Sequence, residues 1–104
     1  MFSLFQNTNS IHVSEVDHIL KDINLIDIRE AYEYANGSIR SAKNIPMGQL
    51  MTAPDNYLDK SKKYYIMCQS GGRSSSAVSA LAKAGFDVVN VKGGMGSYCG
   101  NNRR

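Results

Sequence analysis

Cys68-Gln69-Ser70-Gly71-Gly72-Arg73, followed at once by Ser74, is the stretch of this chain best suited to chemistry. Cysteine reacts as its thiolate, and its surroundings set how much thiolate there is. Gly71 and Gly72 permit the positive φ values with which a short loop turns its backbone N–H groups inward. The helix predicted to begin at Ser74 adds unpaired N–H groups and the positive end of its dipole. Arg73 adds a permanent cation. A thiol at the focus of the N–H groups of residues 69–74 is expected to have a lowered pKa and to need no general base. Ser74 reads as a helix N-cap whose hydroxyl can also face the sulfur.

The elements that must position this loop follow from spacing. Lys63–Cys68 is a predicted strand leading into it. Residues 74–84 are a predicted helix leading out, with Ala77, Val78, Leu81 and Ala82 on one apolar face and Gly85 as its stop. Upstream, residues 10–13 read as a short strand, and Ser14 as the cap of a helix carrying Val16, Ile19 and Leu20 at i, i+3 and i+4. Residues 23–28 are β-branched and nearly all apolar, the pattern of a central parallel strand. Glu30 and Glu33 open a helix, where carboxylates suit the dipole, with Ala31, Tyr34 and Ala35 inward and Asn36-Gly37 at its end. Lys43-Asn44-Ile45 is a strand stopped by Pro46. Residues 47–60 suggest one or two short helices, and residues 88–91 a last strand before Lys92-Gly93-Gly94. Strands alternating with short helices predict an α/β fold, a small parallel sheet flanked by helices on both faces.

In such sheets ligands bind beyond the carboxyl ends of the strands. Asp27-Ile28-Arg29, the Cys68 loop and Lys92-Gly93-Gly94 each follow a strand directly, so they are expected to lie together. Their order carries a resemblance. Asp27-x-Arg29-x-x-x-Glu33-Tyr34-x-x-Gly37-x-Ile39-x-x-Ala42-x-Asn44-Ile45-Pro46, the loop Cys68-x-x-Gly71-x-Arg73-Ser74, and Gly93-Gly94-x-x-x-Tyr98 together resemble the signatures of the rhodanese family of sulfurtransferases. Two positions depart: Ser38 replaces the usual His, and Tyr98 the frequent Trp. Neither carries sulfur chemistry in the family, so both read as tuning or packing changes. The resemblance implies a rhodanese-type fold and sulfur transfer through a Cys68 persulfide. The donor would be thiosulfate, a small anion, or a protein persulfide, and the acceptor cyanide or a thiol. Cys68 and Arg73 are the expected catalytic residues, and Gln69, Ser70, Gly71, Gly72 and Ser74 the sulfur-binding loop. Asp27 and Arg29 are expected to support the site, bonding Glu33 and loop amides without touching substrate.

Related cysteine-dependent phosphatases and arsenate reductases carry one more residue between Cys and Arg. The tighter ring here, with four intervening residues, suits one extra sulfur atom, and no loop aspartate stands ready as a general acid. Two further readings stay open: a catalytically idle protein-binding module, and a persulfide carrier acting only between proteins. Cys99 reads as an incidental thiol, with a resolving thiol for the Cys68 persulfide as the alternative.

The chain has 104 residues, 42% hydrophobic and 20% charged, ordinary for one globular domain. Residues 1–9 and 100–104 are expected to be loose ends. The formal net charge of +3 is scattered, with no basic stripe, which argues against nucleic acid. Two Cys and two His, with no Cys/His cluster, give no zinc spacing, and neither metal nor cofactor is expected. The longest apolar run is far too short for a membrane span, and the first residues lack a signal's basic flank, so a cytoplasmic location is expected. With the signatures filling the chain, the site is expected to be shallow and open.

Overall fold

The computed structural model describes residues 9–104. Five strands run through it: β1 (Ser10–His12), β2 (Asn24–Asp27), β3 (Lys43–Asn44), β4 (Lys63–Met67) and β5 (Asp87–Lys92). All pair in parallel, in the order β1-β5-β4-β2-β3. Parallel strands need crossovers, and short helices supply them: α1 (Val16–Ile19), α2 (Ala31–Ala35), α3 (Met47–Thr52) and α4 (Gly72–Lys83). Four single turns of 3-10 helix, at 13–15, 20–22, 54–56 and 95–97, complete the connections. The α/β architecture predicted from the alternation is the one observed.

Each face of the sheet has its own core. On one, Ile26, Ile66, Cys68 and Val88 pack with Leu50 of α3 and Ala77, Val78 and Leu81 of α4. On the other, Leu25, Met67 and Val91 pack with Val13, Val16, Ile39, Met95 and Tyr98. The inward side chains of successive strand residues alternate between the two cores, as the pleat requires. β4 lies at the centre of the sheet, so its carboxyl end is flanked by those of β2 and β5.

Several local expectations change. His12, not Ser14, caps the first turn: its Nδ1 accepts from the Ser14 N–H at 3.1 Å. Ala31, Ala35 and Ala82 are exposed, so α2 turns only Tyr34 and Glu33 inward. Helix α4 begins at Gly72, two residues before the predicted start, with Gly71 as N-cap at φ 106°. Gly72 is therefore helical, and a Cβ there would meet nothing within 4 Å. Only Gly71 uses the freedom expected of both glycines.

The expectation of a loose end at 100–104 is not met. Arg103 forms an antiparallel bridge with Ile39. Around it, the Arg104 N–H donates to Ser38 O at 3.0 Å and the Arg40 N–H to Asn102 O at 2.6 Å. The guanidiniums of Arg103 and Arg104 lie over the Tyr98 and Tyr34 rings. The other expected loose end falls outside the described residues, except for Asn9, whose carbonyl accepts from the Asn90 N–H. No helix among the described residues is long and apolar enough to cross a membrane.

Candidate active site

The sheet brings its three distinctive segments together at one edge. β4 ends at Met67, so the chain turns at Cys68 into the loop that Gly71 closes. The Met95 N–H donates to Cys68 O at 2.9 Å and the Gly96 N–H to Gln69 O at 2.8 Å. Gly94 lies so close beneath the loop that a Cβ on it would collide with Cys68 O and the Gln69 carbonyl. The Ile28 N–H donates to Met67 O, tying the turn after β2 to the same edge.

Cys68 is 1% exposed, so its sulfur lies on the floor of the site, deeper than the shallow site expected. Its Sγ accepts from the Gly71 N–H at 3.1 Å and the Ser74 N–H at 3.4 Å. The Ser74 hydroxyl lies 3.4 Å away, taking a bond from the thiol and passing one to Gly71 O at 3.2 Å. When sulfur is ionised, that hydroxyl can turn and donate to it. Burial pushes the thiol pKa up; the Ser74 hydroxyl and the N–H groups of Ser74, Gly71 and Ser70 outweigh it, leaving the pKa below its ordinary value. Of the amides from 69 to 74, those of Gly71 and Ser74 make the hydrogen bonds to the sulfur. The first turn of α4 adds its dipole at the same point.

Arg73 departs from its expected role. Its Nη1 and Nη2 donate to Glu33 Oε1 and Oε2 at 2.8 and 3.0 Å, a bidentate pair joining α4 to α2. The guanidinium beside Glu33 holds that carboxyl down to about 2, against the desolvation that raises it. The pairing in turn raises the Arg73 pKa. The cation expected at the end of the loop is therefore already matched by a carboxylate. Glu33 stands in the first signature and opens α2, but neither position names Arg73 as its partner. Its signal was the seven-residue segment from Asp27 to Glu33, which sets α2 against the Cys68 loop.

Asp27 and Arg29 form a buried unit, with side chains 0% and 5% exposed. Arg29 Nη2 donates to Asp27 Oδ2 at 2.8 Å and Nε to Oδ1 at 3.0 Å. Arg29 also donates to Gln69 Oε1 at 3.1 Å and Gly37 O at 2.7 Å. The Ser38 hydroxyl adds a 2.7 Å bond to Asp27 Oδ2, so the departure at 38 sits inside this network. Asn44 Nδ2 holds the turn from the other side by donating to Asp27 O and Arg29 O. The pair thus reaches the loop through the side chain of Gln69 rather than through Glu33 or amides. Gln69, expected in the loop through its backbone N–H, gives its side-chain oxygen to Arg29, and Gln69 and Ser70 are both exposed.

Tyr98 anchors the opposite face. Its hydroxyl donates to Asp17 Oδ1 at 2.7 Å and accepts from the Asn102 N–H at 2.8 Å. Cys99 is exposed and lines a cavity of about 390 Å³ with His12, Asp17, Ser97 and Tyr98. Cys68 is not among the lining residues.

Comparison with known proteins agrees with this architecture. The family model of the rhodanese-like domain matches residues 12–101. The Bacillus subtilis (strain 168) protein YtwF, described as a proposed sulfurtransferase, is 40% identical over 83 residues, 80% of each chain. A protein of Allochromatium vinosum named sulfurtransferase is 36% identical over 76 residues, covering 72% of this chain and 70% of its own. The crystal structure of a rhodanese-like domain protein from Staphylococcus aureus is similar with a TM-score of 0.83 at 34% identity. That likeness covers 93% of this chain and 97% of the other.

Proposed function

Because this chain belongs to the rhodanese-like domain family, we propose that it is a sulfurtransferase that carries a sulfane sulfur as a persulfide on Cys68. The Cys68 thiolate attacks the outer sulfur of thiosulfate or of a persulfide. A bond forms between the two sulfurs, the donor's own S–S bond breaks, and its electron pair leaves with sulfite or with the donor thiolate. An acceptor nucleophile, cyanide or a thiol, then attacks the terminal sulfur, and the Cys68 thiolate departs with the electrons of the broken bond. No proton need be removed from Cys68 during attack if it is already ionised.

The observation that carries this reading is the Cys68 sulfur lying within 3.4 Å of two N–H groups and a hydroxyl at the start of α4. Donors fixed in place around a water-poor sulfur stabilise negative charge there without reorganising, as an oxyanion hole does. Once a terminal sulfur is added, the same loop offers amide donors to the persulfide anion. The Asp27–Arg29 pair holds the turn beside the loop, and Arg73 acts as an anchor between helices more than as a free cation.

The names of its relatives support sulfur transfer in general. An idle binding module would have no use for a buried thiol whose pKa is lowered by surrounding donors. Turnover tests the reading. The intact chain should release thiocyanate from cyanide, or a new persulfide from an acceptor thiol, when given either donor, and Cys68→Ser should lose at least about a thousandfold. A Cys68→Ser protein that keeps wild-type turnover overturns it.

A further inference from the structure

Arg73 stands between Gly71 and Ser74, the two residues whose N–H groups reach the Cys68 sulfur at 3.1 and 3.4 Å. It is the cation nearest the sulfur in sequence, yet each terminal nitrogen of its guanidinium is given to a different oxygen of Glu33. A bidentate pair of this kind occupies the fork that would otherwise bind an anion. Arg29 is spent as well, on both Asp27 oxygens, Gln69 Oε1 and Gly37 O. Glu30, at the start of α2, is exposed beside the pair and adds a second carboxylate to the one guanidinium. Lys92, whose backbone packs against Gly71, ends β5 and so lies on the other side of the loop from α2. The α2 side of the loop thus sets two carboxylates, Glu30 and Glu33, against one guanidinium, although the chain as a whole is basic.

We infer that the Glu33–Arg73 pair sets donor choice, so that the site takes the persulfide of a thiol in preference to the small dianion thiosulfate. This deepens the Cys68 persulfide reading and rests on it. Thiosulfate brings two negative charges to the mouth and leaves as sulfite, a second dianion. The persulfide of an uncharged alkyl thiol brings one at most and leaves as a thiolate. In both reactions the Cys68 thiolate takes the outer sulfur and the donor's S–S bond supplies the leaving electron pair. Only the charge carried past Glu30 and Glu33 differs.

The test measures the rate at which each donor adds sulfur to Cys68, followed by intact mass, and forms the ratio of thiosulfate to alkyl persulfide. Glu33→Gln keeps a side-chain oxygen for the Glu30 N–H, now at 2.9 Å, while removing the charge. The ratio should rise roughly tenfold in Glu33→Gln. Added salt should slow thiosulfate transfer in that variant and leave the wild type unslowed. Glu30→Gln, which leaves the ion pair in place, should move the ratio in the same direction by less, and serves if Glu33→Gln fails to fold. A ratio unchanged in both variants, with Cys68 still gaining sulfur, overturns the inference alone. Failure of the wild type to gain sulfur from either donor overturns the persulfide reading beneath it.

Discussion

At the scale of single residues, the chemistry rests on how three donors meet one sulfur. Burial by itself raises a thiol pKa, and Cys68 is buried; the Ser74 hydroxyl and the neighbouring amides reverse the sign. Removing the hydroxyl should therefore shift the balance back toward the thiol. In Ser74→Ala, the pH midpoint of Cys68 alkylation should move up toward the ordinary cysteine range. The rate at neutral pH should drop severalfold, because less thiolate is present. An unchanged midpoint would mean that the amides alone hold the anion. Cys68, Ser74 and Gly71 were legible in the sequence because their roles follow from residue type and local spacing. The partner of Arg73 was not. A guanidinium at a loop end looks free until a carboxylate 40 residues away is folded against it. The side-chain partner of Gln69 was hidden for the same reason, since Arg29 reaches it across the same distance in sequence.

At the scale of elements, the site is the meeting of three strand ends, and its tightest point is Gly94 beneath the loop. Gly94 has φ 55° and no room for a Cβ against the Cys68 and Gln69 backbone. Gly94→Ala should cost more than about 2 kcal/mol in a denaturant titration, from overpacking together with the positive φ. It should also slow Cys68 alkylation, since the loop must shift. Gly48→Ala, in α3 with nothing within 4 Å, should be neutral or stabilise by up to about 1 kcal/mol, and so serves as the contrast. Equal stability for the two variants would contradict the close packing of the third segment on the loop. All five strands were legible in the sequence, because alternation and β-branching announce them. Helix boundaries were less so. The start of α4 was placed at Ser74 because glycines read as loop, whereas Gly72 takes helical φ and ψ once Gly71 has made the turn. For α2, alanines were read as an apolar face, but a five-residue helix held by Glu33 and Tyr34 can leave them in water.

At the scale of the whole molecule, two cores on either side of one sheet hold the carboxyl edge open for the loop. Residues 101–104 close the far side, pairing with residues 38–40 and with the Tyr98–Asp17 contact. That tail was expected to be a loose end. Its order comes from backbone bonds and two arginine–aromatic contacts that composition does not reveal. The overall charge of +3 proved a poor guide to the site, where local pairs decide the field. If sulfur rides on Cys68 as proposed, intact mass spectrometry with peptide mapping reads it out. After exposure to an alkyl persulfide or thiosulfate and removal of excess donor, the wild-type chain should gain the mass of one sulfur atom. That sulfur should map to the Cys68 peptide and be released by cyanide, while Cys68→Ser gains none and Cys99→Ala behaves as wild type. A sulfur that maps to Cys99, or that Cys68→Ser still acquires, would contradict the account.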